Sequence, residues 1–292
     1  MIYDIRMSIT LNYQYSAGNS RHLLRVQPRA IAGRQRVIAQ MTEIAPPPDS
    51  RQDQVDFFGN ATQAISHRDP HDAMTIRLAS RVELLAPAPM LDISPDLPRL
   101  RQQWAGLTDL GPDSPLHFLG PSPRLRPNPE IAAFALGAVR PGSTALAHVI
   151  ALGEALAHGM TFDPTATTVD TDPAEAFALR RGICQDFTHI MILGLRSLGI
   201  PAGYASGYLR TLPEGQDRLE GADAMHAWVR AWCGTAQGWV EYDPTNATLV
   251  ATDHILVGHG RDYADVSPLV GHLRLSGEQT STQAVDVTLA GP

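Results

Sequence analysis

The sequence predicts an α+β protein, in which a strand-rich first part precedes a core of helices packed on an antiparallel sheet. Two observations support this fold class. Apolar and polar side chains alternate with a period of two within the first 86 residues, which is the pattern of half-buried strands. Beyond residue 130 apolar side chains recur every three or four positions, and hairpin-like strand segments follow. This order of elements is typical of α+β domains.

The first domain is predicted to span residues 1–86 as a small β-sandwich. The alternation is clearest over residues 7–15 and 74–84, and shorter candidate strands cover residues 22–26 and 36–44. Clusters of Gly, Pro and Asn separate these segments and predict the turns between them.

Residues 87–129 are rich in proline and are predicted to be a connector, with a short helix around Trp104. The second domain, the core, is predicted to span residues 130–292. Its predicted helices cover residues 131–139, 143–159 and 173–179, and a fourth begins at Cys184. Its predicted strands cover residues 202–209, 224–232, 239–242 and 283–289.

The composition excludes several classes of function. The chain has 23 basic and 30 acidic residues and a net charge of −7, so it offers no basic surface to nucleic acid or to an anionic membrane. Its start lacks the features of a secretory signal, and no apolar run approaches the roughly 20 residues of a spanning helix. We therefore expect a cytoplasmic protein with reduced thiols that acts on a peptide or a small amide. The sequence leaves the oligomeric state open.

Cys184 is the first candidate for chemistry. It lies with Phe187, Met191 and Leu195 at spacings of three and four, at the N-terminal end of an apolar helix stripe. A cysteine on such a stripe is by default a small buried hydrophobe. At a helix start, however, unpaired N–H groups and the positive end of the helix dipole favour a thiolate and can receive an oxyanion. The other cysteine, Cys233, has no candidate base nearby and is interpreted as incidental.

A base and its partner are predicted in the hairpin that follows. If Trp232 lies opposite Trp239, then Trp228 lies opposite Asp243, and His226 is a diagonal neighbour of Asp243. Asp243 could then orient His226 and leave its other ring nitrogen for the thiol. The alternatives are a surface histidine and an Asp-Pro turn, and a slip of one residue in the register would separate the two side chains.

Other polar residues have weaker claims to a role. Gln185 and Tyr208 are candidates for a second oxyanion donor. Trp228 is a candidate for covering the site or contacting substrate, although packing explains it as well. His254 and His259 lack the close spacing and the cysteine pair of a zinc site, so we expect solvated loop residues there and no metal. The chemistry considered requires no cofactor.

Three segments of the sequence resemble the motifs of the bacterial transglutaminase-like superfamily, whose members share a papain-like core. They are GICQDF at 182–187, MHAWV at 225–229 and YDPTN at 242–246. In that family the cysteine is the nucleophile, the histidine is the base, and the aspartate orients the histidine. The resemblance therefore implies these roles for Cys184, His226 and Asp243, and it implies a transglutaminase-like core of the papain-like type.

The resemblance extends to other parts of the chain. SRHLLR at 20–25 and DFFGN at 56–60 are similar to the β-rich region that precedes the core in many bacterial members, and GRDYADV at 260–266 is similar to a downstream segment. Animal transglutaminases use an upstream tryptophan to help hold the oxyanion, whereas the only tryptophan before Cys184 here is Trp104.

The resemblance thus implies a cysteine peptidase or amidase that hydrolyses an amide or isopeptide bond through a thioester. Two alternatives stay open. One is amine transfer to protein glutamine, as in a transglutaminase. The other is a non-catalytic transglutaminase-like scaffold that binds peptides.

Overall fold

The computed structural model of the chain describes residues 1–87, 90–212, 224–274 and 277–290. Ala88 and Pro89, which belong to the predicted proline-rich connector, lie outside these residues. The described part contains a seven-stranded sheet, a five-stranded sheet and a short two-stranded sheet, together with six α-helices. The α+β fold class is confirmed.

The strands are β1 (Ile2–Leu24), β2 (Gln35–Ala45), β3 (Ser50–Val55), β4 (Ala61–His67), β5 (His71–Leu84), β6 (Thr161–Phe162), β7 (Arg181–Gly182), β8 (Ala202–Leu209), β9 (His226–Trp232), β10 (Trp239–Asp243), β11 (Thr248–Leu249), β12 (His254–Gly260), β13 (Leu269–Arg274) and β14 (Gln279–Leu289). The α-helices are α1 (Leu97–Ala105), α2 (Pro129–Ala138), α3 (Ala145–Gly159), α4 (Pro173–Leu179), α5 (Cys184–Ser197) and α6 (Tyr263–Val266), and a 3-10 helix covers Pro115–Phe118.

All strands of the seven-stranded sheet are linked through β1. The first half of β1 pairs with β5 and β14, and its second half pairs with β4 and β13. Its register shifts after Asn12 and again after Gly18. Tyr3, Ile5 and Met7 are buried between more exposed neighbours, so the alternation that predicts this strand reflects one face turned to the core. The sequence does not predict β3, because all six of its side chains are exposed.

The helices of the core begin at side-chain caps. Asp96, Asn128, Thr144 and Asp172 each accept a hydrogen bond from an N–H group of the first turn of α1, α2, α3 and α4, respectively. Such caps satisfy donors that have no partner within the helix. The predicted helices are therefore present within about two residues of the predicted ends. Among the described residues, no helix is both long and apolar enough to cross a lipid bilayer.

The five-stranded sheet of the core has the strand order β11-β10-β9-β8-β12. Trp239 lies opposite Trp232, and Tyr242 lies opposite Val229, so the predicted hairpin register is confirmed. Val229 and Tyr242 share a hydrophobic cluster with the apolar side chains of α5. The helix that begins at Cys184 is thereby fixed against the hairpin.

The seven-stranded sheet packs against the same core sheet and is joined to it by polar contacts. Arg34 donates two hydrogen bonds to the Glu241 carboxylate, at 2.9 and 2.7 Å. The Gln35 amide bonds both the carbonyl and the N–H of Leu256, at 2.7 and 2.8 Å. Three core-sheet side chains are buried in one cluster with the N-terminal strands: Tyr208, Ile255 and Val257. The two sheets therefore share a continuous interior.

The C-terminal strands complete the first sheet and not the core sheet. The predicted strand at residues 283–289 is present as part of β14, but β14 pairs with β1 along residues 3–13, and β13 pairs with β1 along residues 18–24. The last part of the predicted 130–292 core thus returns to the N-terminal sheet. Because strand pairing is non-local, this partner could not be predicted from the sequence pattern.

We predict that Val287→Asp destabilises the whole chain, because Val287 is fully buried between β1 and the core and an unpaired charge there has no compensation. We expect a loss of about 3 kcal/mol or more in the free energy of unfolding, measured by urea denaturation. Thr282→Asp, on the exposed face of the same strand and opposite Thr10, is the matched control and should change stability by less than about 0.5 kcal/mol. Equal effects of the two changes would contradict this placement of β14.

Candidate active site

Cys184 is the first residue of α5, and it retains 9% of its surface exposed. Ile183 is the cap residue before it, in extended conformation. The Asp186 N–H donates to the Ile183 carbonyl at 2.9 Å, and the helix dipole favours negative charge at this end of α5. Cys184 also belongs to the hydrophobic cluster of the core.

A carboxylate fixes the turn that carries Cys184. Asp186 accepts hydrogen bonds from the Ile183 N–H at 2.9 Å and from the Thr167 hydroxyl at 2.6 Å. Burial raises the pKa of Asp186, although these two bonds oppose the rise. A side chain at Gly182 would collide with the Asp186 carboxylate. Glycine is therefore needed at this position to admit the cap.

Gln185 ties the same turn to a neighbouring loop. Its side-chain amide donates to the Val169 carbonyl at 2.8 Å, and the residue is 3% exposed. The same carbonyl accepts a bond from Arg124 at 2.9 Å. Gln185 lies next to Cys184 in sequence, and its use as a second oxyanion donor stays a prediction.

His226 and Asp243 meet as the predicted register requires. Nε2 of His226 lies 2.8 Å from Oδ2 of Asp243, and both side chains are fully buried. Burial alone would lower the pKa of His226, but the charge of Asp243 and then that of Cys184 raise it to about 10. Nδ1 of His226 has no other hydrogen-bond partner. Cys184 is thus the second group, after Asp243, that acts on the pKa of His226.

The Asp243 carboxylate is saturated with donors. Oδ2 accepts from His226, from Nε2 of His254 at 3.0 Å and from the Asn246 amide at 2.7 Å. Oδ1 accepts from the N–H groups of Thr245 at 2.9 Å and Asn246 at 3.2 Å. Burial alone would raise the pKa of Asp243, but His226 and His254 hold it well below its usual range. The carboxylate is therefore ionised, which fixes a proton on Nε2 of His226.

Two predicted site residues have other roles. The Tyr208 hydroxyl donates its only proton to the Val26 carbonyl at 2.6 Å within the buried contact between the sheets. The Trp228 N–H donates to Glu241 at 2.8 Å, and the side chain is fully buried. The Tyr208 proton is thus committed to Val26, which disfavours Tyr208 as a second oxyanion donor. The Trp228 ring is stacked against His226 with the centroids 6.3 Å apart, and its role in covering the site stays a prediction.

His254 and His259 are not solvated loop residues, contrary to expectation. They are 2% and 4% exposed and lie on β12. The sequence signal that could have revealed this strand is the apolar run Ile255-Leu256-Val257, which is typical of a buried strand. His254 is the residue of the site that sequence analysis missed, since its contact with Asp243 joins strands that are not neighbours in the chain.

Two imidazoles and a carboxylate are also the donor types of a zinc site. The ligand-capable atoms of His226, Asp243 and His254 lie within 4.8 Å of one another. Both Nε2 atoms, however, lie at hydrogen-bond distance from the same oxygen, and that carboxylate already accepts the five donors described above. The arrangement is that of a hydrogen-bonded cluster and not of a metal centre.

Cys233 provides an internal comparison for Cys184. It is fully buried, and its thiol approaches only the Ala231 carbonyl, at 3.9 Å. Burial raises the pKa of this thiol to about 12. No histidine contacts it among the described residues, so Cys233 is placed as an inert part of the core.

Comparisons with known proteins show which sequences this chain resembles. The sequence model described as the transglutaminase-like superfamily matches residues 132–244, and that of the bacterial transglutaminase-like N-terminal region matches residues 3–83. An uncharacterized protein of Mycobacterium tuberculosis (strain ATCC 25618 / H37Rv) is 35% identical over 266 residues, which cover 88% of this chain and 82% of that protein. An uncharacterized protein of Mycobacterium leprae (strain TN) is 31% identical over 277 residues, which cover 94% of each chain.

A solved structure shows the same fold. The crystal structure of a Cytophaga hutchinsonii protein, provisionally called a cysteine protease, superposes with a TM-score of 0.74 at 20% identity and covers 99% of this chain and 90% of that one. An identity this low shows only a shared fold. The shared α+β fold covers both the N-terminal part and the core of this chain.

We predict that Asp243→Asn destabilises the chain in a pH-dependent manner. Because the pKa of Asp243 is lowered on folding, its contribution is present above the unfolded value of about 3.9 and is lost as the pH falls toward the folded value. The difference in free energy of unfolding between the wild type and the variant should be about 3 kcal/mol at neutral pH and should shrink below about pH 4. Urea denaturation across pH measures it.

The matched control for this series is Asp72→Asn, on an exposed aspartate, which should give a small difference at every pH. A wild-type to Asp243→Asn difference that stays constant on acidification would contradict an ionised, buried Asp243.

Proposed function

The chain belongs to the transglutaminase-like superfamily, and on that premise we propose that it is a thiol-dependent acyl-transfer enzyme that hydrolyses an amide or isopeptide bond through a thioester. The observation that carries the proposal is the buried His226–Asp243 pair, at 2.8 Å, whose free imidazole nitrogen is left to Cys184. A histidine oriented by a carboxylate and facing a thiol at a helix start is the arrangement that activates a cysteine nucleophile.

In the first half of the proposed reaction, the proton of the Cys184 thiol lies on Nδ1 of His226, whose raised pKa favours the imidazolium, and the thiolate sulfur attacks the amide carbonyl carbon. The backbone N–H groups at the start of α5 receive the charge that forms on the carbonyl oxygen. The tetrahedral intermediate collapses when the C–N bond breaks, and His226 returns its proton to the leaving amine. The acyl group stays on Cys184 as a thioester.

In the second half, His226 takes a proton from water, and the water oxygen attacks the thioester carbon. The C–S bond breaks, a carboxylic acid leaves, and the sulfur returns to its starting state with His226. Asp243 stays ionised throughout and stabilises the imidazolium that forms in each half.

Hydrolysis is favoured over amine transfer by the position of Trp104. This side chain lies on α1, and its N–H donates to the Gly199 carbonyl at 3.0 Å, so it cannot hold an oxyanion at Cys184. Trp104 is the only tryptophan that precedes Cys184 in the sequence. A peptide or small amide is the substrate class that this chemistry accepts, with water as the second substrate.

A non-catalytic scaffold is the second candidate function. A scaffold would explain the fold and the shared interior of the two sheets equally well. It would not explain the buried, ionised carboxylate beside an imidazole, because burying such a pair costs free energy of desolvation.

We predict that iodoacetamide near neutral pH alkylates Cys184 at least about 100-fold faster than Cys233, because the pKa of the Cys233 thiol is about 12 and the thiolate is the nucleophile. Peptide mass spectrometry after timed quenching measures both rates on the full chain. His226→Ala should remove most of the preference, whereas His148→Ala, a buried histidine of α3, should keep it. A scaffold would show no preference for Cys184.

We predict that the wild-type chain, incubated with a cell extract and quenched in acid, carries an acyl adduct on Cys184 that hydroxylamine removes. Cys184→Ala should carry none, and His226→Ala should lower the adduct by at least about 100-fold. Adding a primary amine separates water from amine as the second substrate, since only a transglutaminase would release the acyl group mainly as its amide. The absence of any adduct in the wild type argues for the scaffold.

A further inference from the structure

His254 is a second imidazole on the carboxylate that holds His226. Its Nε2 lies 3.0 Å from Oδ2 of Asp243, and the residue is 2% exposed. It comes from β12, at the far edge of the core sheet from β10, and it lies beyond the matched region 132–244. The three motifs of the family do not include it.

The His254 contact adds to the four other hydrogen bonds that hold the carboxylate in one orientation. An aspartate side chain turns about two bonds, and Oδ2 must stay within hydrogen-bond distance of His226 for the imidazole to keep its tilt. His226 on β9 and His254 on β12 approach the same oxygen with their ring centroids 6.1 Å apart. Two rigid donors on separate strands restrict the carboxylate more than one donor does.

The polar contacts of His254 serve only this carboxylate. Among the described residues, its Nε2 bonds Asp243, while its Nδ1 is buried without a hydrogen-bond partner. With Nδ1 unpaired and Nε2 at 3.0 Å from Oδ2, the ring directs its one N–H at Asp243.

His254 is itself held by a chain of contacts that begins in the N-terminal sheet. Its ring lies edge-on to Trp228, with the centroids 5.2 Å apart. Trp228 donates to Glu241, and Glu241 pairs with Arg34 of the N-terminal part. The charged residue just before β12, Asp253, pairs with Arg210 at 3.1 Å. Glu241 and Asp253 are thus each paired with an arginine. Among the described residues, Asp243 is the carboxylate that accepts the N–H of His254.

We infer that His254 is a positioning residue, which clamps the Asp243 carboxylate so that His226 stays oriented toward Cys184. This inference rests on the proposed function. On this inference, a residue of β12, which lies outside the three family motifs, keeps His226 in place.

The test compares the pH dependence of Cys184 alkylation by iodoacetamide in the full-length wild type, His254→Phe and His254→Gln. His254→Phe keeps a ring but removes the donor, so the alkylation rate below about pH 6 should fall roughly tenfold, the equivalent of one charge-assisted hydrogen bond. His254→Gln carries an N–H donor at a similar reach and should recover most of the rate. Loss of stability alone would not distinguish these two variants in this way.

A double-mutant cycle tests whether His254 acts through Asp243. In an Asp243→Ala background, His254→Phe should have little further effect on the alkylation rate, because the group that it positions is gone. His259→Phe is the matched control, since His259 is also buried on β12 but bonds Arg29, at 3.1 Å. It should lower the melting temperature and leave the pH profile of alkylation unchanged.

The outcomes separate this inference from the proposed function. If the wild type shows no preference for Cys184, the proposed function fails and the positioning role fails with it. If the wild type shows the preference but His254→Phe keeps the wild-type pH profile, or loses the rate equally in the Asp243→Ala background, only the positioning role is wrong.

Discussion

The buried negative charge of Asp243 is the constraint on which the rest of the site depends. A carboxylate without exposed surface is tolerated only when nearly every lone pair receives a donor, because desolvation otherwise protonates it. Here three side chains and two backbone N–H groups supply those donors. Once the charge is retained, the proton on Nε2 of His226 is fixed, and with it the nitrogen that is left to Cys184.

The cysteine end of the site is built by a separate device. Asp186 caps the helix from within its own first turn, and Gly182 leaves the space that this cap occupies. The two cysteines of the chain therefore have different surroundings. Cys184 lies where unpaired N–H groups and an imidazole act on it, whereas Cys233 lies among apolar groups with a raised pKa. Position in the fold, and not residue type, separates the candidate nucleophile from a core thiol.

The N-terminal sheet is part of the scaffold of the site. Arg34 neutralises Glu241, Glu241 holds Trp228, and Trp228 covers both His226 and His254. Arg34 lies in the turn just before β2, and the sheet that contains β2 also contains β14, the last strand of the chain. The geometry of the His226–Asp243 pair therefore depends on residues about 200 positions away in sequence, and the two parts of the chain act as one structural unit.

The sequence by itself determined the α+β class, the four main helices, the hairpin register from Trp232 to Trp239 and hence the meeting of His226 with Asp243, because periodicity, caps and a short hairpin are local signals. Tertiary structure decided the rest. His254 reaches Asp243 from a strand that is not adjacent to β10, β14 pairs with a strand at the other end of the chain, and Tyr208 bonds Val26 across the contact between sheets. Each of these depends on a long-range pairing, which no local pattern specifies.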